Sequence, residues 1–80
     1  MNSIHKIAKR NGLPTVQDKL VEELAELTSA LINNNVENII EEIADVTIVM
    51  QQYLHLTEAT EKFKKWHKAK VQRTLERLKL

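Results

Sequence analysis

Val21-Glu22-Glu23-Leu24-Ala25-Glu26-Leu27 and, nineteen residues on, Ile40-Glu41-Glu42-Ile43-Ala44-Asp45-Val46 say the same thing twice: apolar, acid, acid, apolar, Ala, acid, apolar. On a helix each residue turns the side chain by about 100°, so the faces follow by simple geometry. With Leu20, Leu24, Leu27 and Leu31 taken as the buried stripe, Glu23 falls roughly 70° to one side of it and Glu26 roughly 130°, while Glu22 points away. With Ile39, Ile43, Val46 and Met50 as the second stripe, Glu42 and Asp45 occupy the same two flanking places and Glu41 points away. Each helix therefore carries an i, i+3 carboxylate pair on the same side of its apolar seam. If the two helices face each other, four carboxylates meet, and such a cluster repels itself unless a cation sits within it. Hard divalent cations such as magnesium favour oxygen ligands of this kind. The alternative is two solvated helix edges whose acids stay apart.

These residues also resemble a known family. Glu22-Glu23-x-x-Glu26, then fifteen residues, then Glu42-x-x-Asp45 is similar to the signature of the MazG-like, all-α nucleoside triphosphate pyrophosphohydrolases. The flanks match as well: Gln17 ahead of the first motif, Leu24-Ala25-Glu26-Leu27, and Ile43-Ala44-Asp45-Val46. The likeness spans roughly Ile7 to Arg77. It implies that Glu23, Glu26, Glu42 and Asp45 hold Mg²⁺, with Mn²⁺ as a substitute. In that family a Lys, an Asn four residues on and an Arg three beyond it hold the substrate phosphates. Here Lys70, Thr74 and Arg77 stand at that spacing, with Thr where Asn is usual. Arg73, one turn from both basic residues, shares their face and is an equal candidate for phosphate.

Composition bounds the rest. Eighty residues, 42% apolar and 29% charged, suggest one small soluble domain over residues 1–80. A single Gly, a single Pro and three aromatics among many Leu, Ile, Glu and Lys favour helix almost throughout. A domain this small hides only about 60% of its unfolded surface, so a partner subunit would help it. The absence of Cys excludes a disulfide framework and a thiolate metal site. No apolar run reaches the ~20 residues of a membrane span, and Met1-Asn2-Ser3 opens no signal-peptide segment, so a cytoplasmic protein is expected.

Along the chain, Ser3 is expected to cap a short helix over residues 3–11, with His5 near its apolar face and Asn11-Gly12 as its stop. Leu13-Pro14-Thr15 reads as a connection, and Thr15-x-x-Asp18 as a capping box opening a helix that runs to about Ile32. Asn33-Asn34-Asn35 makes a turn, with Asn34 and Glu37 starting a third helix over about residues 36–55. Val46, Ile48, Val49, Met50, Tyr53 and Leu54 surround that helix almost completely, which requires cover on every side. Either an oligomer or the fourth helix must supply it. Thr57 is expected to cap the fourth helix, with Glu58 and Glu61 in its first turn.

Charge reverses late in the chain. Residues 61–80 hold eight Lys and Arg against two acids, a net +6; residues 1–60 hold four against nine, a net −5. Most of these lysines are expected to be solvated on an amphipathic helix that buries Phe63, Val71, Leu75 and Leu78. His5, His55 and His67 have no mutual i, i+4 spacing, so zinc is not expected. Trp66 among lysines raises nucleic-acid binding, which the acidic first sixty residues oppose.

The expected fold is all-α, a short N-terminal helix plus three longer ones, in a helical bundle completed by oligomerisation as a homodimer or homotetramer. The expected activity is Mg²⁺-dependent cleavage of a (d)NTP to (d)NMP and pyrophosphate in nucleotide-pool house-cleaning, with no nucleic-acid or membrane partner. The alternatives are a phosphoribosyl-ATP pyrophosphohydrolase, which shares the acidic pattern, and a non-catalytic helical interaction module.

Overall fold

The computed structural model describes residues 2–80. Four helices follow one another: α1 (Ser3–Asn11), α2 (Leu13–Ile32), α3 (Val36–Leu56) and α4 (Thr60–Leu78). The all-α architecture with one short and three longer helices is the one the composition implies. α2 and α3 form an antiparallel hairpin, α1 lies against both, and the backbone of α4 comes close only to that of α3.

The helix boundaries correct four expectations. Asn2, not Ser3, caps α1: its Oδ1 accepts the His5 N–H at 2.8 Å. Gly12, at φ +79°, both closes α1 and opens α2, its N–H reaching the Ala8 carbonyl at 2.9 Å and its carbonyl accepting the Val16 N–H at 3.0 Å. Thus Leu13-Pro14-Thr15 is helix rather than connection, and Thr15 caps nothing. Proline is suited to a first turn, where the missing N–H is not needed. Asn35, one residue later than expected, caps α3 by accepting the Asn38 N–H at 3.2 Å, while Asn34 takes the left-handed turn at φ +57°. Thr57 ends α3 instead of starting α4. Its hydroxyl donates back to the Tyr53 carbonyl at 2.8 Å, the left-handed Glu58 follows, and α4 starts after Ala59 without a side-chain cap.

The seam between α2 and α3 is rotated from the expected one. In α2 it runs through Val16, Leu20, Glu23, Leu27 and Ala30; in α3 through Ile39, Glu42, Val46, Val49 and Tyr53. Both rows step by four and three residues, as a packed helix seam requires. Val16 is completely buried, and Ala30, Val46 and Val49 nearly so. Four residues of the expected stripes stand outside: Leu24 is 45% exposed, Leu31 54%, Ile43 47% and Met50 38%. The smaller Val and Ala side chains bring the helix axes together, and the larger Leu, Ile and Met are left on an outer face.

That outer face sharpens the question raised by the apolar third helix. α4 has no buried residue, so it does not supply the missing cover. Gln52 is the one polar residue in the core among the described residues; its Oε1 accepts from Asn11 Nδ2 at 3.2 Å, tying α1 to α3. No helix among the described residues is long and apolar enough to cross a membrane.

Candidate metal centre and active site

Rotation of the seam puts two carboxylates where apolar contacts are usual. Glu23 and Glu42 are seam residues of α2 and α3, half-buried and opposed, while Glu26 and Asp45 follow one turn along on the same side. Carboxylate oxygens from Glu23, Glu26 and Glu42 lie within 4.8 Å of one another. Asp45 is outside this close trio, yet its charge bears on both Glu23 and Glu42. Glu22 and Glu41 lie exposed.

The electrostatics are those of an unneutralised cluster. Partial burial raises the Glu23 carboxyl above its ordinary value, and the charges of Glu26 and Asp45 push it further. Glu42 is raised in the same way, by desolvation first and then by Glu26 and Asp45. Glu23 Oε2 and Glu42 Oε2 are buried and have no hydrogen-bond partner. Buried carboxylate oxygens without a donor are costly, and here no Lys or Arg answers them. The one ion pair among the described residues joins Lys64 to Glu61 at 3.3 Å on α4. An all-oxygen, acidic donor set with two orphaned oxygens suits a hard divalent cation.

The basic candidates stand elsewhere. Lys70, Arg73 and Arg77 are exposed along α4, whose backbone does not approach α2. Lys70 Nζ lies 5.8 Å from the centre of the Trp66 ring, and Trp66 is itself 56% exposed. Thr74 donates its hydroxyl to the Lys70 carbonyl at 2.9 Å, within its own helix. The expected burial of Phe63, Val71, Leu75 and Leu78 is not reached; they remain 39%, 47%, 37% and 59% exposed.

One feature has no signal in the sequence. His5 and His55, fifty residues apart, stack with ring centroids 3.7 Å apart and planes within 8°. They border a cleft shared by Ile4, Leu54 and Phe63 where α1, α3 and α4 come together.

Residues 3–68 match the family model of phosphoribosyl-ATP pyrophosphohydrolase. The chain belongs to that family. It lies within the MazG-like, all-α nucleoside triphosphate pyrophosphohydrolase superfamily, as the two acidic motifs imply. The protein is therefore a pyrophosphohydrolase, a hydrolase acting on acid anhydrides, from a metal-dependent family, and Glu23, Glu26 and Glu42 form an acidic cluster that could hold a metal ion. The match includes all four candidate acids and ends before Lys70, Arg73 and Arg77. No curated protein and no solved structure matches the chain.

Proposed function

We propose that this pyrophosphohydrolase cleaves a nucleoside triphosphate between its α and β phosphates, releasing a monophosphate and pyrophosphate, in clearing the cytoplasmic nucleotide pool. The observation that carries the reading is the meeting of Glu23, Glu26 and Glu42 with two buried, unpartnered oxygens. These three and Asp45 hold Mg²⁺, or Mn²⁺ in its place. When bound, the cation supplies neutralisation of phosphate charge and lowers the pKa of the attacking water. The seam fixes Glu23 and Glu42 on rigid helix backbones, so the donor set costs little reorganisation when the substrate arrives. Lys70, Arg73 and Arg77 hold the phosphates that the metal does not reach. The working unit is a homodimer or homotetramer that covers Leu24, Leu31, Ile43 and Met50.

A second reading keeps the reaction and changes the substrate. The matched family model is that of phosphoribosyl-ATP pyrophosphohydrolase, and phosphoribosyl-ATP presents the same triphosphate to the same acids. Pyrophosphate release measured over the common ribo- and deoxyribonucleotides, common damaged nucleotides and phosphoribosyl-ATP, with and without Mg²⁺, separates the two. Mg²⁺-dependent turnover of a free nucleotide supports the first reading. Turnover of phosphoribosyl-ATP alone supports the second, and no release from any substrate overturns both.

A further inference from the structure

His5 and His55 meet where α1 lies on the last turn of α3, and neither belongs to the acidic cluster. Both are half-buried, and their rings lie face to face, 3.7 Å between centroids and within 8° of parallel. We propose that this stack is an acid-sensitive joint: it holds α1 on the α2–α3 hairpin while at most one ring is charged, and it releases α1 when both are.

Three observations carry it. The first is that the joint is built for a neutral His5. The Asn2 carboxamide accepts the His5 N–H through Oδ1 at 2.8 Å, so its Nδ2 is the end turned to the ring, 3.4 Å from His5 Nε2. A carboxamide nitrogen only donates, and Nε2 is therefore the ring nitrogen without a proton. A proton placed there sets donor against donor. It also puts a positive charge in the first turn of α1, the end of a helix dipole that disfavours cations. His55 sits in the last turn of α3, where the dipole suits a cation, so the pair tolerates one charge, on His55.

The second is that nothing nearby neutralises a second charge. α1 carries Lys6, Lys9 and Arg10 and no acid. The cleft beside the rings is lined by Lys64 of α4, by no residue of α2 and by no acid from any helix. Lys64 is paired with Glu61 at 3.3 Å, and Glu58, in the turn after α3, is exposed outside the cleft. Two unit charges 3.7 Å apart, even screened as in bulk water, favour separation by about sevenfold.

The third is that little else holds α1. Ala8 is its one buried residue, and Asn11 adds a single hydrogen bond to Gln52 at 3.2 Å. Nine residues are too few to stay helical alone in water. Gly12, at φ +79° and with open space where a Cβ would stand, is a pivot that breaks no side-chain contact when α1 moves. The stack's contribution is complete above the range in which histidine gains its proton, roughly pH 8 to 5, and is lost as pH falls through it. The raised carboxyls of Glu23 and Glu42 act in the opposite sense, stabilising the hairpin in acid, so the two effects separate within one chain.

Amide hydrogen exchange of the full chain in EDTA, corrected for the pH dependence of intrinsic exchange, tests this at about pH 7.5 and about pH 5. Wild type should lose protection in residues 3–11 by about sevenfold or more at the lower pH, with the amides of α2 and α3 unchanged or better protected. His5→Phe and His55→Phe keep a flat ring in the stack without a second charge, and each should keep α1 protected at both pH values. No loss in α1, or a loss spread evenly over the four helices, overturns the proposal. So does a loss in α1 that both Phe variants reproduce. If one Phe substitution undocks α1 already at the higher pH, the other decides, and His5→Gln replaces both where neither docks.

Discussion

Replacing Glu23 by Gln should stabilise the metal-free protein, although Glu23 is a half-buried residue in the main helix seam. Its carboxylate lies within 4.8 Å of that of Glu26. Two unit charges at that distance repel by about 0.9 kcal/mol under bulk-water screening and about 3.5 kcal/mol at an effective dielectric constant near 20. The partial exposure of Glu23 favours the lower end, so relief of about 1 kcal/mol is expected, which in a domain of this size raises Tm by about 4–8 °C. With Mg²⁺ the order reverses. A cation at a hundred times its Kd stabilises the wild type by about 2.7 kcal/mol, and Glu23→Gln forfeits most of this. The assay is thermal unfolding followed by circular dichroism, in EDTA and in saturating Mg²⁺, with Glu22→Gln and Glu41→Gln as exposed controls. If Glu23→Gln melts several degrees early in EDTA, the carboxylate is a structural partner and the cluster is not held in tension.

The raised carboxyls of Glu23 and Glu42 fix the sign of a pH effect. Their stabilising contribution is complete below the ordinary glutamate value of 4.5 and is lost as pH rises through the folded-state values. Tm in EDTA should therefore fall across that rise, and Mg²⁺ should flatten the slope; a Tm in EDTA that climbs over the same window contradicts this. Val16→Ala opens space at a completely buried position of α2. It should cost about 2 kcal/mol in urea unfolding, from two lost methyl groups and the cavity they leave. Ile43→Glu places a charge on the uncovered outer face and should dissociate the assembly in sedimentation velocity, whereas a wild type that already sediments as a monomer contradicts the proposed oligomer.

Much of this was legible in the sequence because it rests on local chemistry. The helices follow from composition and from the Gly and Asn punctuation, and the acid motifs follow from i, i+3 spacing. The rotation of the seam was not legible. Leu24, Leu31, Ile43 and Met50 repeat with the same period as Val16, Ala30, Val46 and Val49, and a wheel cannot tell two parallel apolar rows apart. Only packing shows that the row of smaller residues faces inward, carrying Glu23 and Glu42 into the seam. Thr57 was misread because a Thr hydroxyl serves equally to open a helix or to bond back to its last turn, as it does to Tyr53. The His5–His55 stack depends on how α1 meets α3, which no spacing encodes. The basic row of α4 was legible as a row, but not as one held apart from the acids of its own chain.

The central claim is that the acids joining α2 to α3 hold the cation needed to break an α–β phosphoanhydride. Chromatography of the products formed from a turned-over nucleoside triphosphate in Mg²⁺, by wild type and by Glu42→Gln, tests it most directly. Wild type should yield equal amounts of monophosphate and pyrophosphate, and Glu42→Gln neither. A diphosphate with inorganic phosphate from the wild type, or unchanged turnover by Glu42→Gln, would contradict it.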